Sequence, residues 1–318
     1  MRAVRSTGDR ATWVRVEEVD GPPGAGALID VKAASICSSD LMYVGFGLTR
    51  ILGHEVAGVK EDGTPVVIEA MFGCGTCQQC RTGQYNHCPT HPDRALGVTI
   101  DGGMAEQYRA PEERLIPLPD GLDPRDAPIV EPASVSWHAL RLGGTGPDTR
   151  VAVVGAGGLG LLAAAGARAQ GAPEVAVEAR HAHQKEAAER LGARVGTEGS
   201  MGTYDVVIEA AGTEESLHRC AELAAPGGSV VVVGVFTDAQ LSVPWRAMFH
   251  KEIRLVPSLG YCAHSAGKEM EDAAVMLAAR PEIAQTLITH RFPLEDAPEA
   301  FRVAADKTSG AIRVVLEP

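Results

Sequence analysis

The chain has 318 residues, 45% of them hydrophobic and only 4% aromatic, with a formal net charge of −12. That length suits a large core shared between two domains, packed mainly by Val, Ala and Leu, and the charge argues against a nucleic-acid binder, which needs a basic face. No run of about 18 or more apolar residues is present to span a membrane, and the opening MRAVRSTGDR lacks the apolar segment of a secretory signal, so the chain reads as cytoplasmic.

Residues 1 to about 118 read as β-rich. Short alternating or apolar runs (TWVRVEEV, ALIDVKAASI, EVAGVKEDG, PVVIEA) are broken by Gly, Pro and Asp, as hairpins and barrel strands are. PLPDGLDPRDAPIVEPAS is rich in proline and turn residues and reads as a connection entering a helix near Val135. The period then changes. RVAVVGAG is a continuous apolar run into glycines, the pattern of a strand buried on both faces. GLGLLAAAGARAQGA, EVAVEA, HQKEAAERLGA, YDVVIEAAG, SLHRCAELAAPGG and SVVVVGV then alternate helix and strand. Such βαβ units imply a doubly wound parallel sheet with helices on both faces, so the fold class is α/β. The tail, KEMEDAAVMLAARPEI and FPLEDAPEAFRVAADKTSGAIRVVLEP, predicts two helical stretches and a final strand.

Four of the seven cysteines sit in CGTCQQCRTGQYNHC, as Cys74, Cys77, Cys80 and Cys88. A disulfide knot, a redox pair and a metal site all use such clusters. In a reducing cytoplasm the metal reading is favoured. Two-residue gaps let neighbouring thiolates reach one Zn²⁺, and a closed site of four cysteines is structural. A second set of ligand types is scattered. ICSSDL carries Cys37, Ser39 and Asp40, LGHEVAG carries His54 and Glu55, and VEPASVSWHAL carries Glu131. A catalytic zinc takes about three protein ligands and keeps a position open. Cys37 and His54 are the natural pair, completed by Glu131 or Glu55, with Asp40 orienting the imidazole. A lone histidine after glycine is also an ordinary turn or core residue, and Ser39 and Asp40 also suit turn capping.

VAVVGAGGLG places Gly155, Gly157, Gly158, Leu159 and Gly160 between a buried strand and a helix, the context for binding the pyrophosphate of a dinucleotide. The next strand ends in Glu178, Ala179 and Arg180. A carboxylate at the strand end suits the ribose hydroxyls of NAD(H), whereas a small residue followed by Arg suits a 2′-phosphate, so the register decides.

GHE at 53–55, the four-cysteine loop and VAVVGAGGLG, in this order and together with DGGMAEQY, VEPASV, YDVVIEAAG and PGGSVVVVG, resemble the zinc-dependent medium-chain dehydrogenase/reductase family of alcohol and polyol dehydrogenases. The resemblance covers essentially the whole chain. It implies a GroES-like β-rich catalytic domain (1–134, resumed at 263–318) and a Rossmann dinucleotide-binding domain (135–262). Cys37 and His54 would bind a catalytic zinc, with Glu131 matching a position where polyol dehydrogenase relatives carry glutamate. Glu55 would be a neighbouring carboxylate able to enter the shell, and Ser39 would begin a proton relay. Two zinc ions per chain follow, one catalytic and one structural. Counting back from Leu191, the family's acidic position falls on Ala179 with Arg180 after it, which favours NADP(H) over NAD(H). The segment from Ser38 to Gly53 is shorter than its family counterpart, which implies a more open substrate site. The implied function is hydride transfer between NAD(P) and an alcohol/ketone pair: a polyol, cyclitol, sugar-like or other secondary alcohol. The implied assembly is a homodimer or homotetramer joined through edges of the Rossmann sheet, with IRLVPS as an edge strand. The alternatives are an NADPH-dependent C=C reductase without catalytic zinc, and a non-catalytic zinc- and nucleotide-binding protein.

Overall fold

In the computed structural model, which describes residues 1–237 and 240–318, the chain divides into two units: Met1–Glu131 with Cys262–Pro318, and Pro132–Tyr261. The first unit begins with an antiparallel pair, β1 (Arg2–Ser6) and β2 (Val14–Glu18). The long strand β3 (Ala27–Ile36) follows. Its first half alternates, with Ile29 and Val31 buried and Asp30 exposed, while its last four residues are all buried. After β3 come α1 (Ser38–Gly45), β4 (Glu55–Lys60), β5 (Pro65–Ile68), the single turn α2 (Gln78–Arg81), β6 (Gln107–Ala110) and β7 (Leu115–Pro117). The helix α3 (Val130–Gly143) starts five residues before the position expected from sequence. Pro132 falls in its first turn, where a missing N–H breaks no helical bond.

The second unit alternates strand and helix except where β10 runs directly to β11: β8 (Arg150–Val154), α4 (Gly158–Ala169), β9 (Glu174–Glu178), α5 (Ala182–Arg190), β10 (Arg194–Val195), β11 (Tyr204–Glu209), α6 (Glu214–Leu223), β12 (Ala224–Val232), α7 (Trp245–Lys251) and β13 (Arg254–Pro257). The six strands are parallel, in the order β10-β9-β8-β11-β12-β13. The order reverses between β8 and β11, the switch point where such sheets bind ligands. Val151, Ala152 and Val153 have no exposed surface, which accounts for the unbroken apolar run.

The chain returns with a short hairpin, β14 (Ala263–His264) and β15 (Gly267–Lys268), then α8 (Glu269–Ala279), α9 (Glu282–Leu287), β16 (Ile288–Pro293), α10 (Ala297–Ala305) and β17 (Arg313–Glu317). Two expectations for this tail are corrected. Pro281 ends the first helical stretch and splits it into α8 and α9. ITHRFP, whose alternate side chains are partly or fully exposed, forms a second long strand. β16 and β17 extend the first unit's sheet, in the order β16-β17-β3-β4-β5-β7 with β6 also paired to β3. Among the described residues no helix is long and apolar enough to cross a membrane.

Candidate active site and metal centres

Three adjacent strands gather the scattered residues. Ser35 of β3 lies opposite Glu55 of β4, and Ile36 lies opposite Val314 of β17. Cys37, the His54–Glu55 pair and Arg313 therefore meet at one end of the sheet, and ligand atoms of Cys37, His54 and Glu55 all lie within 4.8 Å of one another. Asp40 is fully buried in the first turn of α1. Its Oδ2 accepts the backbone N–H of Cys37 at 2.9 Å, and its Oδ1 lies 3.3 Å from Nδ1 of His54. One carboxylate thus holds the Cys37 backbone and faces the His54 ring. With Nδ1 turned to Asp40, Nε2 is the ring nitrogen left for a metal, and Ser39 Oγ is 3.2 Å from it.

Burial opposes a charged His54 ring, but the Asp40 carboxylate and the Cys37 sulfur outweigh it and hold its pKa well above the ordinary value. A cation answers the same negative surroundings once the proton is displaced. Glu55 is fully buried and both its oxygens accept from Nη1 of Arg313, at 2.7 and 2.9 Å. Glu131 is buried too. Desolvation pushes its pKa up to about 8, with the charges of His54 and Arg313 working the other way. It lies outside the set of three whose ligand atoms converge. Arg313 is the residue that sequence reasoning missed. Its signal was an arginine opening the buried strand RVVLE, where a charge needs a partner.

His54 is aimed by the glycines before and behind it. Gly53 has φ +103°, and a Cβ there would come within 2.6 Å of the Met104 nitrogen. Gly103 N donates to Gly53 O at 2.9 Å, and a Cβ on Gly102 would come 2.5 Å from the oxygens of Leu52 and Gly53. The DGGM stretch therefore backs the histidine turn, which gives its two glycines a physical reason.

The four-cysteine loop brings ligand atoms of Cys74, Cys77, Cys80 and Cys88 within 4.8 Å of one another, and all seven cysteines are free thiols. Backbone N–H groups point at the sulfurs: Cys77 N lies 3.2 Å from Cys74 Sγ, Cys74 N 3.3 Å from Cys88 Sγ, and Cys80 N 3.4 Å from Cys77 Sγ. The Thr76 hydroxyl and N–H, with that of Cys77, lower the Cys74 pKa to about 5. The loop is tied down through Tyr85, whose hydroxyl donates to the buried Glu69 at 2.7 Å. Lys268 Nζ reaches the same carboxylate at 3.0 Å, and Arg114 donates to Gly73 O at 2.9 Å.

In the second unit, Gly155 has φ +105° and a Cβ there would come 2.8 Å from Ala211 N. A Cβ on Gly160 would come 1.8 Å from Gly155 O, so the turn and the helix pack at glycine distance. Gly157 caps α4, and a Cβ there would meet nothing within 4 Å, which leaves room before the helix N-terminus, followed by Gly158 and Leu159. At the end of β9, Glu178 Oε1 accepts from Arg219 Nε at 2.8 Å and from the hydroxyl of Thr197. Arg180 is exposed and lies 3.5 Å from the equally exposed Glu215.

These donors fit the groups their pattern implies. Four converging thiols supply a closed tetrahedral set, a thiol, an imidazole and a carboxylate supply an open one, and the glycine cradle leaves space for a pyrophosphate at a helix N-terminus.

Comparison with known proteins agrees with this fold. Residues 23–120 match the alcohol dehydrogenase GroES-like domain, and residues 158–279 match the zinc-binding dehydrogenase domain. L-galactonate-5-dehydrogenase of Escherichia coli K12 is 30% identical over 313 residues, covering 89% of each chain. Among solved structures, galactitol-1-phosphate dehydrogenase from Escherichia coli superposes with a TM-score of 0.89 at 25% identity, covering 100% of both chains. A zinc-binding dehydrogenase from Sinorhizobium meliloti 1021 bound to NADP gives 0.85 at 29% identity, covering 100% of this chain and 99% of that one.

Proposed function

The chain belongs to the medium-chain dehydrogenase/reductase family, as a zinc-type, NAD(P)-dependent oxidoreductase, and from that premise we propose that it interconverts a secondary alcohol of a polyol or sugar-like substrate and the matching ketone. The relatives named above act on a sugar acid and a sugar-alcohol phosphate, which supports the polyol class. The observation that carries the reading is the convergence of Cys37, His54 and Glu55 with Ser39 Oγ beside His54 Nε2.

We assign two zinc sites, a structural one at Cys74, Cys77, Cys80 and Cys88 and a catalytic one at Cys37 and His54. Glu131 or Glu55 completes the second. A zinc ion there supplies Lewis acidity to the substrate oxygen, and the nicotinamide supplies the hydride chemistry. The chain's own residues do the rest. Asp40 fixes the tautomer and direction of His54 and holds the backbone of Cys37. Ser39 Oγ would accept the substrate hydroxyl proton while passing its own hydroxyl proton outward to solvent, and the same exchange would run backward in the reverse direction. Arg313 neutralises Glu55, so that a second negative ligand is held beside the centre without an unpaired buried charge. The glycine turn at 155–160 receives the pyrophosphate, and Ala179 with Arg180 favours NADP(H).

Self-association fits the edge of the second unit's sheet. β13 is the terminal strand there, with Leu255 exposed, and Trp245 and Phe249 stand exposed one helical turn apart on α7. Sedimentation of the native chain and of a Trp245→Glu/Phe249→Glu variant tests this, with dissociation of the variant expected.

The deciding experiment is metal content per chain, followed by an alcohol and ketone panel with both cofactors. Two zincs and turnover of vicinal diols or polyols support the assignment. One zinc that cannot be raised to two by adding the metal back, with turnover confined to activated C=C bonds, would show that the Cys37–His54 centre is not a zinc site.

A further inference from the structure

The second unit holds an ion cluster that the hydride-transfer reading does not use. Along β9 the side chains alternate. Ala176 belongs to the apolar cluster that contains Leu217 and Cys220 of α6, so Glu178, two residues on, points to the same face. There it meets Arg219 of α6. Arg219 Nε donates to Glu178 Oε1 at 2.8 Å, Nη2 donates to Thr197 Oγ1 at 2.9 Å, and Nη1 donates to Glu222 Oε2 at 2.8 Å. The Thr197 hydroxyl donates in turn to Glu178 Oε1. The cluster is less than one-third exposed at both Glu178 and Arg219, so its charges are screened less than those of surface pairs. Arg180 is in the opposite condition. Its pairing with Glu215 is long, and both side chains are at least 80% exposed, an interaction worth little and easily exchanged for another anion.

A carboxylate at the end of this strand hydrogen-bonds the ribose hydroxyls of NAD(H) and repels a 2′-phosphate. Glu178 is such a carboxylate, one residue from the position where it would act. We propose that Arg219 is a specificity-determining positioning residue: it holds the Glu178 carboxylate on the α6 face and offsets its charge, leaving Arg180 as the group that meets the adenosine 2′-phosphate. The inference rests on the NADP(H) reading above. It adds that the cofactor's charge class is set from α6, a helix away from the glycine turn, and not by Arg180 alone.

The test is a fluorescence titration of the zinc-loaded full chain with NADPH and with NADH. The variants are Arg219→Met, Glu178→Gln, the double variant and Arg219→Lys. Arg219→Met is expected to raise the NADPH dissociation constant about tenfold while leaving NADH within about twofold, since the uncompensated carboxylate opposes only the extra phosphate. In the Glu178→Gln background the same substitution is expected to cost NADPH less than about twofold, because the charge it exposes is gone. Arg219→Lys should retain most of the NADPH affinity, and it serves as the test variant if the methionine protein does not fold. Equal losses for both cofactors would overturn the proposal by showing a merely structural role. A penalty that persists undiminished in the Glu178→Gln background would overturn it by showing that Arg219 acts without Glu178. Tighter binding of NADH than NADPH by the unaltered chain would instead bring down the NADP(H) reading, and the inference with it.

Discussion

The four-cysteine loop and the Cys37–His54 centre draw on similar donor chemistry and are built in opposite ways. The loop's ligands lie between positions 74 and 88, and the residues from Cys74 to Arg81 are partly or fully exposed. Little apolar burial holds that segment, and the proposed structural ion would supply cohesion there. The other centre draws on residues as distant in sequence as Glu55 and Arg313, 258 positions apart. Strand pairing through β17, β3 and β4 assembles it, over a core that includes Val56, Val314 and Phe301. On the two-zinc reading proposed above, one site is a motif that would fold around its metal, and the other is assembled by the strands of the fold.

That contrast predicts opposite responses to losing a ligand. His54→Ala should lower kcat by about three orders of magnitude, the scale of removing a central electrostatic group, while one zinc per chain remains and the thermal midpoint moves little. Cys77→Ser should do the reverse. The loop loses a ligand it folds around, and the midpoint should fall by about 5–10 °C at roughly 2–4 °C per kcal/mol. Elemental analysis beside calorimetry reads both. A full-activity His54→Ala protein with unchanged metal dependence would refute the catalytic assignment.

Asp40→Asn sharpens the comparison at the assembled centre. The amide keeps the size of the side chain but weakens its hold on Cys37 N and His54 Nδ1. Zinc affinity at that site should drop by about 10–100-fold, the usual effect of losing the partner behind a metal-binding histidine, with the four-cysteine site unaffected. Equilibrium dialysis against a graded zinc buffer separates the two. Equal weakening at both sites would mean that the centres are not independently built.

The same contrast explains what could be read in advance. The loop was legible as a cluster because its four cysteines lie close in sequence, and the structure brings their sulfurs together. The glycine turn was legible because Gly155, Gly157 and Gly160 sit between a buried strand and a helix, and the packing of Gly160 on Gly155 O shows why no larger residue fits there. Cys37, Asp40 and His54 could be picked out by residue type and by family resemblance, but the convergence of Cys37 N and the His54 ring on one carboxylate is a tertiary fact. Arg313 was missed because a lone arginine in a terminal strand carries no local pattern that names its partner. The strand β16 was missed because ITHRFP buries too few side chains to show a clear period. The end of β9 was read as a question of register, and the pairing of Glu178 with Arg219 of α6 is a tertiary contact that inspection of β9 alone does not contain.

The smallest effect tests how the loop is fastened. Tyr85 OH donates to Glu69 Oε1, and Lys268 Nζ donates to Glu69 Oε2. One fully buried carboxylate therefore ties the cysteine loop to the returning chain. Tyr85→Phe keeps the ring, and with it the Arg114 guanidinium 5.8 Å from its centroid, but takes one donor from Glu69. Leaving a buried acceptor short of a partner costs about 1–3 kcal/mol, enough to lower the midpoint by a few degrees. Because the lost bond lies at the loop's base and not among the sulfurs, zinc stoichiometry should remain two per chain, while release of the structural ion to a chromogenic chelator quickens. The Cys37–His54 centre is held by a different part of the sheet, so turnover should stay within about twofold of the unaltered chain, as expected for independent sites. If turnover fell in step with zinc release, the loop's fastening would be part of the catalytic centre's support, and the separation between a motif that folds on its metal and a site that the fold preforms would fail at its base.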